Sequence, residues 1–123
     1  MNKDFIIKQI SALVESHKLW DEMAEHIFAL GGELWESKYV ETYAFHEGLV
    51  YDLIIMHRGY PTLDDGEFDC FQESIYDLAH GQTTGIFDAD TNEKVAEISS
   101  VEELYNWMMQ PQEIFIPREE NLN

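Results

Sequence analysis

The sequence predicts an α+β fold with a long N-terminal helix or helix pair, a small, mostly antiparallel sheet and two further amphipathic helices. Three patterns support this prediction: a helical apolar stripe over residues 3–30, a second one over 67–80, and a strand, turn and strand pattern over 85–98. Of the 123 residues, 45% are hydrophobic and 13% aromatic, which is enough apolar surface for one core. We therefore expect residues 1–123 to form a single acidic domain.

The N-terminal helix is predicted by apolar or amphipathic residues that recur in alternating steps of four and three. They are Ile6, Ile10, Leu13, His17, Trp20, Ala24 and Ile27. The stripe fits either one helix or two helices that meet near residues 16–18. Gly31 and Gly32 follow it and suit a helix end, because glycine has no Cβ and tolerates the left-handed conformation.

The apolar residues of segment 33–58 do not follow a single helical or strand repeat. Aromatic and β-branched residues alternate over 39–44, which predicts a strand, and His46, Glu47 and Gly48 resemble the turn after it. The apolar run 49–57 fits a returning strand, with a short buried helix as the alternative. Glycine, proline and aspartate over 59–66 predict a loop.

The second amphipathic helix is predicted over 67–80. Phe68, Phe71, Ile75 and Leu78 share one face, Asp69, Glu73 and Asp77 are predicted to lie opposite, and Gly81 suits the end of the helix.

A hairpin is predicted from segments 85–88 and 94–98 on either side of Asp90, Thr91 and Asn92. Ser100 and Glu103 have the spacing of a capping box before a last short helix, which Pro111 should end. Residues 114–116 fit an edge strand, and we expect the polar tail 118–123 to fray.

The charge is strongly acidic, with 7 basic and 25 acidic residues and a net charge of −18. Residues 1–58 hold five bases and ten acids (net −5), whereas residues 59–123 hold two bases and fifteen acids (net −13). Such a field repels phosphate backbones and anionic lipids, so we expect no direct binding to nucleic acid or membranes. The single cysteine, Cys70, and the lack of a leader-like or membrane-spanning segment predict a cytoplasmic protein.

No pattern indicates an enzyme or a cofactor. The histidines form only two acid pairs at helical spacing, Glu22 with His26 and Asp77 with His80, and neither is a metal signature. Asp88, Asp90 and Asn92 share the spacing of a calcium loop, but Glu93 and Ser99 occupy the positions that need glycine and glutamate, so we favour a turn. Cys70 lies between Asp69 and Phe71, surroundings that predict an unreactive thiol.

The unusual feature is the acidic segment 59–93, which contains neither lysine nor arginine. A field of one sign steers a protein toward a basic partner, and exposed aromatics supply binding energy. The predicted partner-binding residues are Tyr60, Asp64, Asp65, Glu67, Asp69, Glu73, Tyr76, Asp77, Asp88 and Asp90. Trp35 is a further aromatic candidate. Crowded carboxylates over 64–93 should have raised pKa values, so stability should grow on mild acidification.

In size and charge the chain is similar to the diverse acidic inhibitors that phages and mobile elements encode against restriction, genome-defence or repair enzymes. This similarity is one of composition and carries no residue correspondence. It favours an inhibitor that mimics DNA and occupies the nucleic-acid groove of a basic partner enzyme. The alternatives are an immunity protein or antitoxin that neutralises one toxin, and a metal-binding protein or enzyme that uses the histidines. A homodimer is compatible with each of them.

Overall fold

The computed structural model describes residues 2–30, 33–59, 66–110 and 115–120. The predicted α+β class is confirmed. The elements in chain order are α1 (Lys3–Ala29), α2 (Glu33–Arg58), α3 (Gly66–Ala79), β1 (Thr83–Asp88), β2 (Lys94–Ile98), α4 (Val101–Met108) and β3 (Phe115–Glu120).

Helix α1 is continuous, so the alternative of two helices meeting near residues 16–18 is wrong. The predicted stripe faces the core: Ile6, Ile10 and Leu13 are fully buried, and the later members are half-buried. At the start of the helix, the Asn2 side chain accepts the N–H of Phe5 at 2.9 Å, which satisfies one of the first amides of the helix.

Residues 33–58 form one helix, α2, so the two predicted strands and the turn at His46, Glu47 and Gly48 are wrong. The inward positions recur at helical spacing, at Tyr43, Glu47, Val50, Ile54 and Arg58. Two of these five positions are charged, and large apolar side chains lie on the outer face. The apolar pattern alone therefore concealed the helical period.

The three strands form an antiparallel sheet in the order β2-β1-β3. Strands β1 and β2 are the predicted hairpin, with Thr84 opposite Ile98 and Phe87 opposite Lys94. Strand β3 is the predicted edge strand, but it begins at Phe115 and continues to Glu120, where it pairs with Thr83. The prediction that the tail frays from Arg118 is therefore wrong for residues 118–120, and residues 121–123 lie outside the described part.

Two predicted helix ends are confirmed. Gly81 follows α3 with φ +71°, in the left-handed region that glycine tolerates best. Ser100 is the N-cap of α4, and its hydroxyl accepts the N–H of Glu103 at 3.1 Å. The Glu103 carboxylate in turn accepts hydrogen bonds from the hydroxyls of Ser99 and Ser100.

The core lies where α1, α2, α3 and α4 pack together and where α3 covers β1 and β3. It includes Cys70, the single cysteine of the sequence, which is buried. None of the helices in the described ranges combines the length and apolar character that crossing a bilayer requires.

Candidate protein-binding surface

The outer face of α3 carries two of the carboxylates that the sequence predicts for partner binding. Asp69 is exposed and Glu73 is half-buried. Tyr76, which is 44% exposed, and His80 follow on the same face, because steps of four, three and four return to one side of a helix. We call Asp69, Glu73, Tyr76 and His80 the α3 surface.

The tyrosine of this surface is held by two histidines. The ring centroid of Tyr76 lies 4.2 Å from that of His80 and 6.0 Å from that of His17, the latter in an edge-to-face arrangement. This packing restricts the orientation of a side chain that remains partly exposed. Tyr76 is therefore a predicted aromatic residue that combines access to solvent with a defined position.

His80 links α3 to α1. Its Nε2 atom lies 2.8 Å from Oδ2 of Asp21, and its Nδ1 atom lies 2.7 Å from the carbonyl oxygen of Tyr76. Carboxylate and carbonyl oxygens only accept hydrogen bonds, so both contacts are hydrogen bonds when both ring nitrogens carry hydrogen. His80 thus connects the α3 surface to Asp21 of α1.

Glu67 does not belong to the exposed acidic surface, so the prediction that it contacts a partner is wrong. Its side chain is fully buried and forms an ion pair with Arg58, whose side chain is 1% exposed. Nη2 of Arg58 donates to Oε2 of Glu67 at 3.0 Å, and Nη1 donates to the carbonyl oxygen of Met108 at 2.9 Å. The pair thus joins α2, α3 and α4, and it neutralises one carboxylate of the acidic segment.

Asp77 is also buried, and the prediction that it lies on the outer face with Asp69 and Glu73 is wrong. Its position is about 80° around the helix from Asp69, which turns it toward the sheet. Oδ2 of Asp77 accepts a hydrogen bond from the Thr84 hydroxyl at 2.6 Å. Because both side chains are fully buried, this carboxylate serves the contact between α3 and β1.

Asp88 is the last residue of β1 and Asp90 lies on the turn between β1 and β2, so neither is on the same element as the α3 surface. Oδ1 of Asp88 accepts the N–H groups of Asp90 at 2.8 Å and Thr91 at 3.0 Å. These bonds lower the pKa of Asp88, so the expectation of a raised pKa is wrong for this residue. Asn92 has φ 63°, and the predicted turn is confirmed.

Tyr60, Asp64 and Asp65 lie outside the described residues, as does the side chain of Trp35.

An aromatic cluster beside the α3 surface joins α1 to α2. Trp20 stacks on Tyr39 with centroids 4.6 Å apart, and the Tyr39 hydroxyl donates to the carbonyl oxygen of Ser16 at 2.6 Å. The rings of His17 and Tyr43 meet at 4.5 Å.

The titration of this cluster does not suit acid and base chemistry near neutral pH. Burial, with a smaller effect of Asp21, raises the pKa of Tyr39. Burial raises the pKa of Tyr43, and the nearby Glu47 carboxylate raises it further. Burial lowers the pKa of His17. The carboxylates of Asp21 and Glu47 act in the opposite direction, and His80 lowers this pKa further. The tyrosines therefore stay protonated and His17 stays neutral, which suits packing and recognition.

Two further histidines, His46 and His57, contact polar side chains on other helices. His46 contacts the Gln9 side chain at 3.1 Å, and His57 contacts the Tyr105 hydroxyl at 2.9 Å. Within the described ranges, no group of three histidine, cysteine, aspartate or glutamate side chains is arranged to hold a metal ion.

Sequence reasoning missed His80 and Asp21 as members of this region. The spacing 69, 73, 76 and 80 is itself a sequence signal for one helix face, but it does not exclude Asp77, which follows Glu73 by four residues and lies only about 40° from it around the helix. No sequence signal indicates that Asp21 lies beside His80, because that contact depends on how α1 packs against α3.

Comparisons of the chain with protein families, with curated proteins and with solved structures find no match.

Proposed function

We propose that this protein is a non-enzymatic acidic inhibitor that binds a basic, nucleic-acid-handling protein in place of nucleic acid. The observation that carries the proposal is the charge of residues 66–110, which contain ten acidic residues and a single base, Lys94. That lysine forms an ion pair with Glu97 at 3.2 Å. Most of the ten carboxylates reach solvent, and a field of this sign attracts a cationic groove.

The α3 surface is the proposed centre of contact. Asp69 and Glu73 stand about 6 Å apart along the helix axis, given a rise of about 1.5 Å per residue, and Tyr76 continues the same face. Aromatic side chains with acidic neighbours suit a basic partner, because the ring buries apolar area while the carboxylates pair with lysine or arginine. Asp88 at the end of β1 and Asp90 on the following turn add further negative charge.

Charge reversal on the α3 surface tests the proposal. The variant Asp69→Lys with Glu73→Lys changes the net charge by +4 at positions that are not fully buried. The matched control Asp4→Lys with Glu22→Lys makes the same change at exposed positions of α1. Immobilised wild-type protein and both variants are incubated with a cell lysate, and bound proteins are eluted with stepped salt and identified.

We expect a basic protein to be captured by the wild type and the control and lost from the α3 variant. Its affinity should fall steeply with salt, because the Debye length shrinks from about 10 Å at 0.1 M to about 3 Å at 1 M. Excess double-stranded DNA should prevent capture if the partner uses its nucleic-acid groove. Equal loss of capture in both charge-reversal variants would indicate unspecific attraction and would refute the role of the α3 surface.

An immunity protein or antitoxin is the second candidate, and the held position of Tyr76 favours it. A shape-specific interface depends on a few well-positioned anchors more than on total charge. In that case Tyr76→Ala should weaken capture by about 30-fold or more, the effect of losing an interface hot spot of about 2 kcal/mol. Excess DNA should then leave the complex intact, which distinguishes this function from nucleic-acid mimicry.

A further inference from the structure

Helices α1 and α2 lie side by side in opposite directions. Gln9 contacts His46, and Ser16 contacts Tyr39. A step of seven residues forward along α1 thus corresponds to seven residues back along α2, which is the relation expected of an antiparallel pair with heptad-like packing. The two contacts define a line along which the helices meet.

On both helices the buried side chains lie on one flank of this line, at Ile6 and Ile10 in α1 and at Val50 and Ile54 in α2. Large exposed apolar side chains lie on the other flank. Phe45 and Met56 are 70% and 69% exposed. We call this set the hairpin face, because it lies on the helical hairpin of α1 and α2. It comprises Phe5, Leu19, Met23, Phe45, Leu49 and Met56.

The spacing of the hairpin face is that of a helix-packing seam. Phe45, Leu49 and Met56 fall at positions separated by four and seven residues, and Phe5 and Leu19 are two heptads apart with Ala12 between them. Such spacing returns to the same side of each helix. Scattered exposed apolar residues are common on protein surfaces, but a seam on two adjacent helices marks an interaction site.

We propose that the hairpin face binds the same face of a second copy, so that the two helix pairs form a four-helix bundle at the centre of a dimer. The size of the face agrees with this occupant. The 27 residues of α1 span about 40 Å at about 1.5 Å per residue, and two helices about 10 Å apart are about 20 Å wide. The resulting area of about 800 Å² equals the surface that each partner contributes to a standard stable interface.

The charge distribution also favours a second copy. Residues 1–58 hold five of the seven basic residues and only −5 of the net charge of −18, so two copies repel each other least through this half. Positive and negative side chains are both present near the hairpin face. Lys8 and Lys38 make no ion pair with another residue in the described ranges. Asp52 is exposed between Leu49 and Met56. A basic partner would instead be drawn to the acidic second half.

The oligomeric state in solution tests the proposal, by light scattering coupled to size exclusion and by sedimentation equilibrium over a range of concentrations. We expect a mass of twice the 14.4 kDa of the chain. Added salt should strengthen the association, because it screens the repulsion between two acidic copies. This is the opposite of the salt effect expected for capture of a basic partner.

Phe45→Asp should weaken dimerisation by about 30-fold or more, as loss of an interface hot spot does, and Phe45→Ala should weaken it less. Val95→Asp is the matched control, because Val95 on the edge strand β2 is exposed to 47%. Asp69→Lys with Glu73→Lys should dimerise like the wild type, so that loss of partner capture and loss of the dimer are separate outcomes.

A protein that remains monomeric at high concentration in 0.5 M salt would overturn the proposal, as would a dimer that Phe45→Asp leaves intact. Loss of the dimer in Val95→Asp alone would assign the interface to pairing of β2 edges instead. Since the Phe45 side chain is mostly exposed, far-ultraviolet circular dichroism of Phe45→Asp should match that of the wild type.

Discussion

Replacing Arg58 by methionine removes the cation from the buried ion pair with Glu67. The guanidinium donates two hydrogen bonds to the carboxylate and one to the Met108 carbonyl oxygen, and the two side chains are 1% and 0% exposed. Water therefore cannot replace the lost partner. The carboxylate would retain a longer contact with the Tyr51 hydroxyl at 3.4 Å. Leaving one partner of a buried pair alone typically costs about 3–5 kcal/mol.

A loss of about 4 kcal/mol should lower the urea midpoint by about 2 M, for a dependence of about 2 kcal/mol per molar urea. Chemical denaturation followed by tryptophan fluorescence measures this shift. The double variant Arg58→Met with Glu67→Leu removes both charges, and its stability should return to within about 2 kcal/mol of the wild type or exceed it. The exposed pair of Lys94 with Glu97 is the control, and Lys94→Met should cost at most about 1 kcal/mol.

A stability loss in Arg58→Met no larger than that in Lys94→Met would contradict a strongly stabilising role of the buried pair. Simple addition of the effects of Arg58→Met and Glu67→Leu in the double variant would contradict it as well, because additivity means that the two side chains do not interact.

Three further predictions concern single residues. Thr84→Val should lower the free energy of unfolding by about 1–3 kcal/mol, because it removes a hydrogen bond from the buried Asp77 carboxylate, and denaturant unfolding measures the loss. His17 has a lowered pKa in the fold, so its contribution to stability is present above the unfolded pKa of 6.5 and is lost as the pH falls from there through the folded pKa. His17→Gln should therefore flatten the decline in melting temperature between pH 7.5 and 5.5, and an unchanged decline would assign it to other groups. Gly81→Ala should cost about 1 kcal/mol by thermal unfolding, through its positive φ alone, since a Cβ there meets nothing within 4 Å.

The pH dependence expected from the sequence differs in sign from that of His17. Crowded carboxylates with raised pKa values would stabilise the fold on acidification, whereas His17 destabilises it below about pH 6.5. Asp88, with its lowered pKa, stabilises the fold above its unfolded pKa of 3.8 and loses that contribution as the pH falls through its folded value. Two backbone N–H groups outweigh charge crowding at that position, because hydrogen bonds act at short range and exposed charges are screened.

The error at α2 shows how local preference can mislead. Val40, Thr42 and the flanking tyrosines Tyr39 and Tyr43 favour a strand by composition. Their side chains instead serve a helix, because Tyr39 and Tyr43 contact α1 from one side of the helix. Charged residues at inward positions and apolar ones at outward positions weakened the helical signal. Contacts with α1 and α3 compensate for the modest helix propensity of β-branched residues.

The sequence by itself determined α1 and α3, whose apolar residues repeat on one face. It also determined the β1–β2 hairpin and the Ser100 cap, because all of these signals arise from residues close together in the chain. It also determined the excess of negative charge. Only the tertiary structure decided which carboxylates reach solvent. Glu67 and Asp77 are buried where Arg58 of α2 and Thr84 of β1 donate hydrogen bonds to them, and a buried carboxylate is stable only when such a partner is present. The same packing left Asp69, Glu73 and Tyr76 outside, and with them the surface to which we assign binding.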